Sequence, residues 1–203
     1  MKNEPLFKVV VVAAVAALFL AFASAAHASD ASAVTRTGTY TTSEGGSGSA
    51  TSVISRSPGV VTRQGSWTNG AGGTGHWQSQ TLWDKDTKTA TISGSATRPN
   101  GTKSSWQLTA TRTAPGTILE KGAITRGNGE QATFAATDTR VAPGKWDKQE
   151  TLTTASGKTI NRTVDTAFAD GNGTRNVTTT LPDGKTVTRN ATFTQAVSPA
   201  PAS

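Results

Sequence analysis

From about residue 35 onward the chain alternates apolar and polar positions. Trp106, Leu108 and Ala110 point one way while Ser105, Gln107, Thr109 and Thr111 point the other. Ala90, Ile92, Gly94 and Ala96 oppose Thr89, Thr91, Ser93, Ser95 and Thr97 in the same manner. Near the end, Val187, Ala191 and Phe193 oppose Thr186, Thr188, Asn190 and Thr192. A period of two belongs to a strand buried on one face, not to a helix.

Turn signals separate these runs. They fall at Glu44-Gly45-Gly46, Pro58-Gly59, Gly72-Gly73, Asp84-Lys85-Asp86, Pro99-Asn100-Gly101 and Pro115-Gly116. They continue at Gly127-Asn128-Gly129, Pro143-Gly144, Ser156-Gly157, Gly171-Asn172-Gly173 and Asp183-Gly184. Glycine supplies the positive φ of a tight hairpin, and proline before glycine presets the first turn position. These turns predict about twelve short antiparallel strands in an up-and-down meander.

The meander is a repeat. Residues 95–116 and 123–144 align at an offset of 28 with 10 of 22 positions identical. Gly45, Gly73, Gly101, Gly129 and Gly157 recur every 28 residues. Pro58, Pro115 and Pro143 follow the period to within one residue. Arg56 stands two residues before its proline, whereas Arg112 and Arg140 stand three before theirs. The unit is a β-hairpin, and the fold class is all-β, as an open curved sheet or a barrel. Twelve strands would enclose a wide lumen that these small side chains fill poorly, which favours the open or flattened sheet.

Charges interrupt the apolar face. Glu120 lies between Ile118 and Gly122, Asp138 follows Phe134 and Ala136, Arg162 lies between Ile160 and Val164, and Arg189 between Val187 and Ala191. On a lipid-facing surface each would cost a few kcal/mol at mid-depth, so the pattern disfavours an outer-membrane barrel.

Residues 1–28 read as a signal peptide. Lys2 and Lys8 precede an apolar run from Val9 to Leu20, and Ala26-His27-Ala28 fits a cleavage site. No later stretch is apolar enough for a transmembrane helix. The repeat domain covers 29–195, and 196–203 form a Pro/Ala-rich disordered tail. The protein is therefore expected to be exported, to the periplasm, cell surface or medium.

Composition narrows the function. Threonine is the commonest residue, at 37, with 21 glycines, 34% hydrophobic residues and no cysteine. Disulfides, thiol nucleophiles and thiolate metal sites are excluded. The formal net charge is +7, which suits an anionic partner such as an anionic polysaccharide or another envelope component. Export and the lack of any nucleic-acid motif argue against nucleic acid.

No catalytic constellation emerges. His76 is the one histidine beyond the signal, and no nucleophile motif marks a partner for it. The carboxylate pairs Asp84 with Asp86 and Asp147 with Glu150 read as a turn cap and a solvated face, not as glycosidase groups. Asp170-Gly171-Asn172-Gly173-Thr174 lacks calcium-loop spacing. No metal or cofactor is expected. Sequons at Asn100, Asn161, Asn172, Asn176 and Asn190 follow partly from the Thr-rich alternation.

Trp67, Trp77, Trp83, Trp106 and Trp146 hold most of the large aromatic surface. They are the candidates for stacking on a polymer, or else they fill a thin core. The reading is a non-enzymatic exported envelope, surface or matrix protein with a structural or polymer- or protein-binding role. Its self-assembling variant would stack strands through exposed edges. The alternatives are a small outer-membrane β-barrel and a carbohydrate-active enzyme.

Overall fold

The computed structural model describes residues 32–198. The signal peptide expected at 1–28, its cleavage site and the last five residues of the chain lie outside them. Twelve antiparallel strands follow one another: β1 (Ser32–Thr42), β2 (Ser47–Ser57), β3 (Val60–Asn69), β4 (Thr74–Asp84), β5 (Thr89–Thr97) and β6 (Lys103–Ala114). The second half is β7 (Thr117–Thr125), β8 (Gln131–Ala142), β9 (Lys145–Thr154), β10 (Thr159–Ala169), β11 (Asn172–Thr180) and β12 (Thr186–Ser198). Each pairs with its sequence neighbours, and β1 also pairs with β12. The meander is a closed barrel.

Closure settles the choice between open sheet and barrel against the open form. It also leaves no strand edge free among the described residues, so the edge-to-edge stacking expected of the self-assembling variant has no template. The seam runs from Ala33↔Ser198 to Thr42↔Arg189. Residues Ala196 to Ser198 therefore belong to β12, three residues into the stretch the sequence assigns to the tail.

The two turn sets lie at opposite ends. At one end, six longer loops each close with a backbone bond from the last strand residue or the one after it to a carbonyl four residues on, as from Thr42 N to Gly46 O at 2.8 Å. Gly45, Gly72, Gly101, Gly129, Gly157 and Gly184 take the left-handed conformation there. The strict period pointed to Gly73, but Gly72 carries the positive φ. At the other end the loops are shorter, and Gly59, Gly116, Gly144 and Gly171 have positive φ. The β4–β5 turn has no glycine, and Lys88 takes φ 54° instead.

The variable Arg-to-Pro spacing has a structural cause. Register shifts between Arg112 and Ala114, and between Arg140 and Ala142. Thr113 and Val141 are therefore bulged residues, while β2 pairs with β3 without a shift. One extra residue in a strand is what a bulge adds.

The apolar parity faces inward. Val34, Ile54, Trp67, Trp77, Ile92, Leu108, Val164 and Val177 are buried, while Thr37, Thr39, Thr51, Gln64, Gln78, Thr91 and Gln107 are exposed. Aromatic rings lie over glycines on the neighbouring strand: Tyr40 faces Gly48, Trp67 faces Gly75, Trp77 faces Gly65, Trp106 faces Gly94, and Phe193 faces Gly173 and Gly38. A Cβ at Gly75 or Gly94 would overlap the indole opposite. A ring lying flat over a glycine fills lumen volume that small residues leave open.

Two outcomes check this packing. Gly94→Val is expected to destabilise the barrel by about 1–3 kcal/mol through overpacking against Trp106, measured by urea unfolding. Thr37 Oγ1 and Thr194 Oγ1 lie 3.2 Å apart across the seam. In the cysteine-free chain, Thr37→Cys with Thr194→Cys is expected to form one intramolecular disulfide on oxidation, read by thiol titration. An open sheet would leave both thiols free.

Candidate functional site

The charges that interrupt the apolar pattern converge in the lumen. Glu120 on β7 and Lys148 on β9 are 28 residues apart, one repeat, so they stand at equivalent places on alternate strands. Ala136 lies between β7 and β9 in the register, pairing with both Glu120 and Glu150. Its small side chain lets the longer ones meet. Lys148 Nζ donates to Glu120 Oε2 at 2.7 Å and lies 3.5 Å from Glu150 Oε1. Arg162 on β10 donates to the other oxygen of Glu150. Asp138 on β8 is paired in register with Lys148. Glu120, Asp138, Lys148 and Glu150 are all buried.

A second group of cations lines the other arc. Arg36 on β1 donates from Nε to Gln195 at 2.9 Å and lies 5.9 and 5.6 Å from the stacked rings of Phe168 and Phe193. Arg63 on β3 donates to Thr81 Oγ1 at 3.0 Å. Arg189 on β12 sits 5.0 Å from the Tyr40 ring. Arg175 on β11 is 3% exposed. Burial pulls Arg36, Arg63 and Arg175 down to about 10; nearby cations add to the effect, while Glu150 and Asp138 oppose it at Arg175 and Glu120 opposes it at Arg63. Aromatic faces cover two of these guanidiniums, those of Arg36 and Arg189.

The sequence candidates are scattered. Trp67 and Trp77 are buried in one inward cluster with Tyr40, and Trp106 packs against it. Trp83 is 38% exposed, and Trp146 is half-buried. The five indoles form no single row on the outer wall. Asp84 caps its own turn, accepting from the Asp86 and Thr87 amides at 2.9 and 3.3 Å. Asp147 points outward and Glu150 inward on β9, so this pair cannot converge on one substrate. His76 is exposed on β4, beside Ser66 and Thr97.

The outer wall carries two adjoining grooves, of about 850 and 660 Å³, that share Thr51. Their linings are mainly outward residues: Thr37, Thr39, Thr192 and Thr194 in one, and Gln64, Ser66, His76 and Gln78 in the other. Inward positions enter mostly where glycine or alanine thins the wall, as at Gly38, Gly65, Ala96 and Gly173. Lys103 and Lys145 are their cations, and no carboxylate lines either groove. The larger groove escaped the sequence reading because it joins residues of β1 and β2 to residues of β10, β11 and β12, far apart in the chain. Of the lumenal arginines, Arg162 and Arg189 looked like faults in single strands, and Arg36, Arg63 and Arg175 carried no local motif, although their shared parity was a visible signal.

The buried acids respond to pH in opposite ways. Burial alone would raise the Glu150 carboxyl, but Arg162 and Lys148 outweigh it and hold it below its ordinary value. Burial pushes the Asp138 carboxyl from 3.8 up to about 6, aided by Glu120 and Glu150 and opposed by Lys148 and Arg175. The folded state thus binds a proton at Asp138 that the unfolded chain has released. Stability is expected to fall as pH rises from about 4 to about 6, by at most about 3 kcal/mol, and then to level off. Asp138→Asn is expected to flatten that segment in denaturant unfolding measured across the range.

Comparison with known protein families and with curated proteins gives no match. Among solved structures, the fold is similar to that of the KdgM porin, with a TM-score of 0.59 at 7% identity, over 80% of this chain and 97% of that one. A second structure, the KdgM porin in complex with disordered oligogalacturonate, matches with the same TM-score and coverage. At this identity the likeness is one of fold: the chain is an antiparallel meander barrel of the kind these porins use.

Proposed function

We propose that the chain is a non-enzymatic, exported envelope barrel that keeps its outer wall in water and meets polysaccharide chains through it. The carrying observation is the chemistry of the outward parity. Thr35, Thr37, Thr39 and Thr41 on β1 are followed around the barrel by Ser49 and Thr51, Gln64 and Ser66, His76, Gln78 and Gln80. On the remaining strands stand Lys121, Asp147, Gln149, Asn161, Asp165, Asn176 and Asn190. A barrel in lipid needs an apolar outward band about 25 Å tall, and this wall has hydroxyls, amides and charges in its place.

The polymer part of the reading rests on the grooves. Rows of hydroxyls and side-chain amides can exchange hydrogen bonds with sugar hydroxyls, and Lys103 and Lys145 without opposing carboxylates favour an acidic chain. Of the tryptophans, Trp83 at the rim has the exposure to stack on a sugar ring.

A second reading, the outer-membrane channel, is favoured by the likeness to the KdgM porin fold. The same likeness makes a barrel in the envelope a better frame than an open matrix sheet. That porin is described with oligogalacturonate, so this acidic oligosaccharide is the natural first probe for either reading.

Fractionation separates the two. Recovery from periplasm or medium without detergent, and no flotation with vesicles, is the expected result. Recovery only in detergent-extracted outer membrane would overturn the main reading in favour of the channel. For the grooves, Lys103→Glu with Lys145→Glu is expected to weaken oligogalacturonate binding about 3- to 10-fold in calorimetry at low salt, given the modest worth of exposed charge pairs.

A further inference from the structure

We infer that the lumen holds a multivalent oxyanion, gripped by the arginines of β11, β12, β1 and β3. Six cations are buried or nearly so on the inward face: Arg36, Arg63, Lys148, Arg162, Arg175 and Arg189. Three carboxylates face them, Glu120, Asp138 and Glu150. The difference is +3, and it grows when Asp138 is protonated.

The excess is not spread evenly. The acids all stand on β7, β8 and β9, where Lys148 and Arg162 already engage Glu120 and Glu150. Arg36, Arg63 and Arg189 stand on the opposite arc, and Arg175 on β11 lies between, within the field of Glu150 and Asp138; none of the four makes an ion pair with a described residue. Arg175 and Arg189 each leave Nε and Nη1 without a hydrogen-bond partner, and Arg63 leaves Nε. Two hydroxyls on the same arc are also unpartnered: Ser52, fully buried on β2 beside Arg36, and Ser79, buried on β4 beside Arg63.

Every one of these groups can donate a hydrogen bond, and four carry positive charge. An isolated buried charge costs several kcal/mol unless it is paired. Water could accept from the N–H groups, but it would leave the charge uncompensated. An oxyanion does both, since its oxygens accept from guanidinium forks and hydroxyls and its charge offsets the surplus. The surplus of three asks for more than one negative charge, which points to a phosphate-, sulfate- or polycarboxylate-bearing ligand. The inference stands whether the outer wall faces water or lipid.

Pyrophosphate is the probe, with chloride at matched ionic strength as the reference. The mature protein is refolded in each and melted. A saturable rise in melting temperature of about 5 °C or more in pyrophosphate, with calorimetric binding near one site per barrel, is expected. Arg175→Met is expected to abolish the rise in pyrophosphate, whatever its melting temperature in chloride. If that variant fails to fold, Ser79→Ala, which deletes one hydroxyl donor, is expected to weaken pyrophosphate binding at least about 3-fold. Lys103→Gln on the outer wall is expected to leave the rise intact. Equal melting in both salts with no binding heat would overturn the inference. So would loss of the effect in Lys103→Gln with its retention in Arg175→Met, since the anion would then sit outside the barrel.

Discussion

A sheet that closes on itself must fill its own interior, and this barrel does so with the side chains least expected there. Its outward residues, mostly hydroxyls and amides, point away from the lumen and contribute nothing to it. The inward parity supplies volume from two sources. Aromatic rings lie over glycines of the adjacent strand, and long charged side chains reach across small residues such as Ala136. Closure, core and charge are therefore one problem. Remove the charged side chains and the lumen loses much of its packing; open the seam and those charges return to water.

The repeat places the partners. A separation of 28 residues moves a side chain two strands along at the same level, so Glu120 and Lys148 meet because they are the same position in successive hairpins. The Gly94–Trp106 and Gly122–Phe134 pairs are likewise one repeat apart. Divergence at these shared positions, acid in one copy and base in another, turns a sequence repeat into an ion-pair network. Identical charges at both would have repelled.

Topology and surface chemistry carry separate information about function. The meander matches a porin barrel in its path, while the outward parity of its strands carries hydroxyls, amides and charges. A fold hosts many functions, and the solvent of the outer wall is written in the side chains, not in the strand order. The surplus of arginine on one arc gives the interior a polarity of its own, with acids gathered on β7 to β9 and cations on β11, β12, β1 and β3.

The strands, their number, their alternation and nearly all their turns were legible in the sequence, because each is a local matter of period and of φ at glycine or proline. Even the bulges at Thr113 and Val141 left a trace, in the altered distance from Arg112 and Arg140 to the following proline. What the sequence left open was decided by contacts between distant parts of the chain. Pairing of β1 with β12 joins residues about 150 apart, and no local pattern encodes it. Nor does a single strand tell whether its apolar side looks at lipid or at a lumen, so Glu120, Asp138, Arg162 and Arg189 read as interruptions until the barrel brought them face to face. The larger outer groove has the same origin, since Thr192 and Thr39 become neighbours only when the sheet has closed.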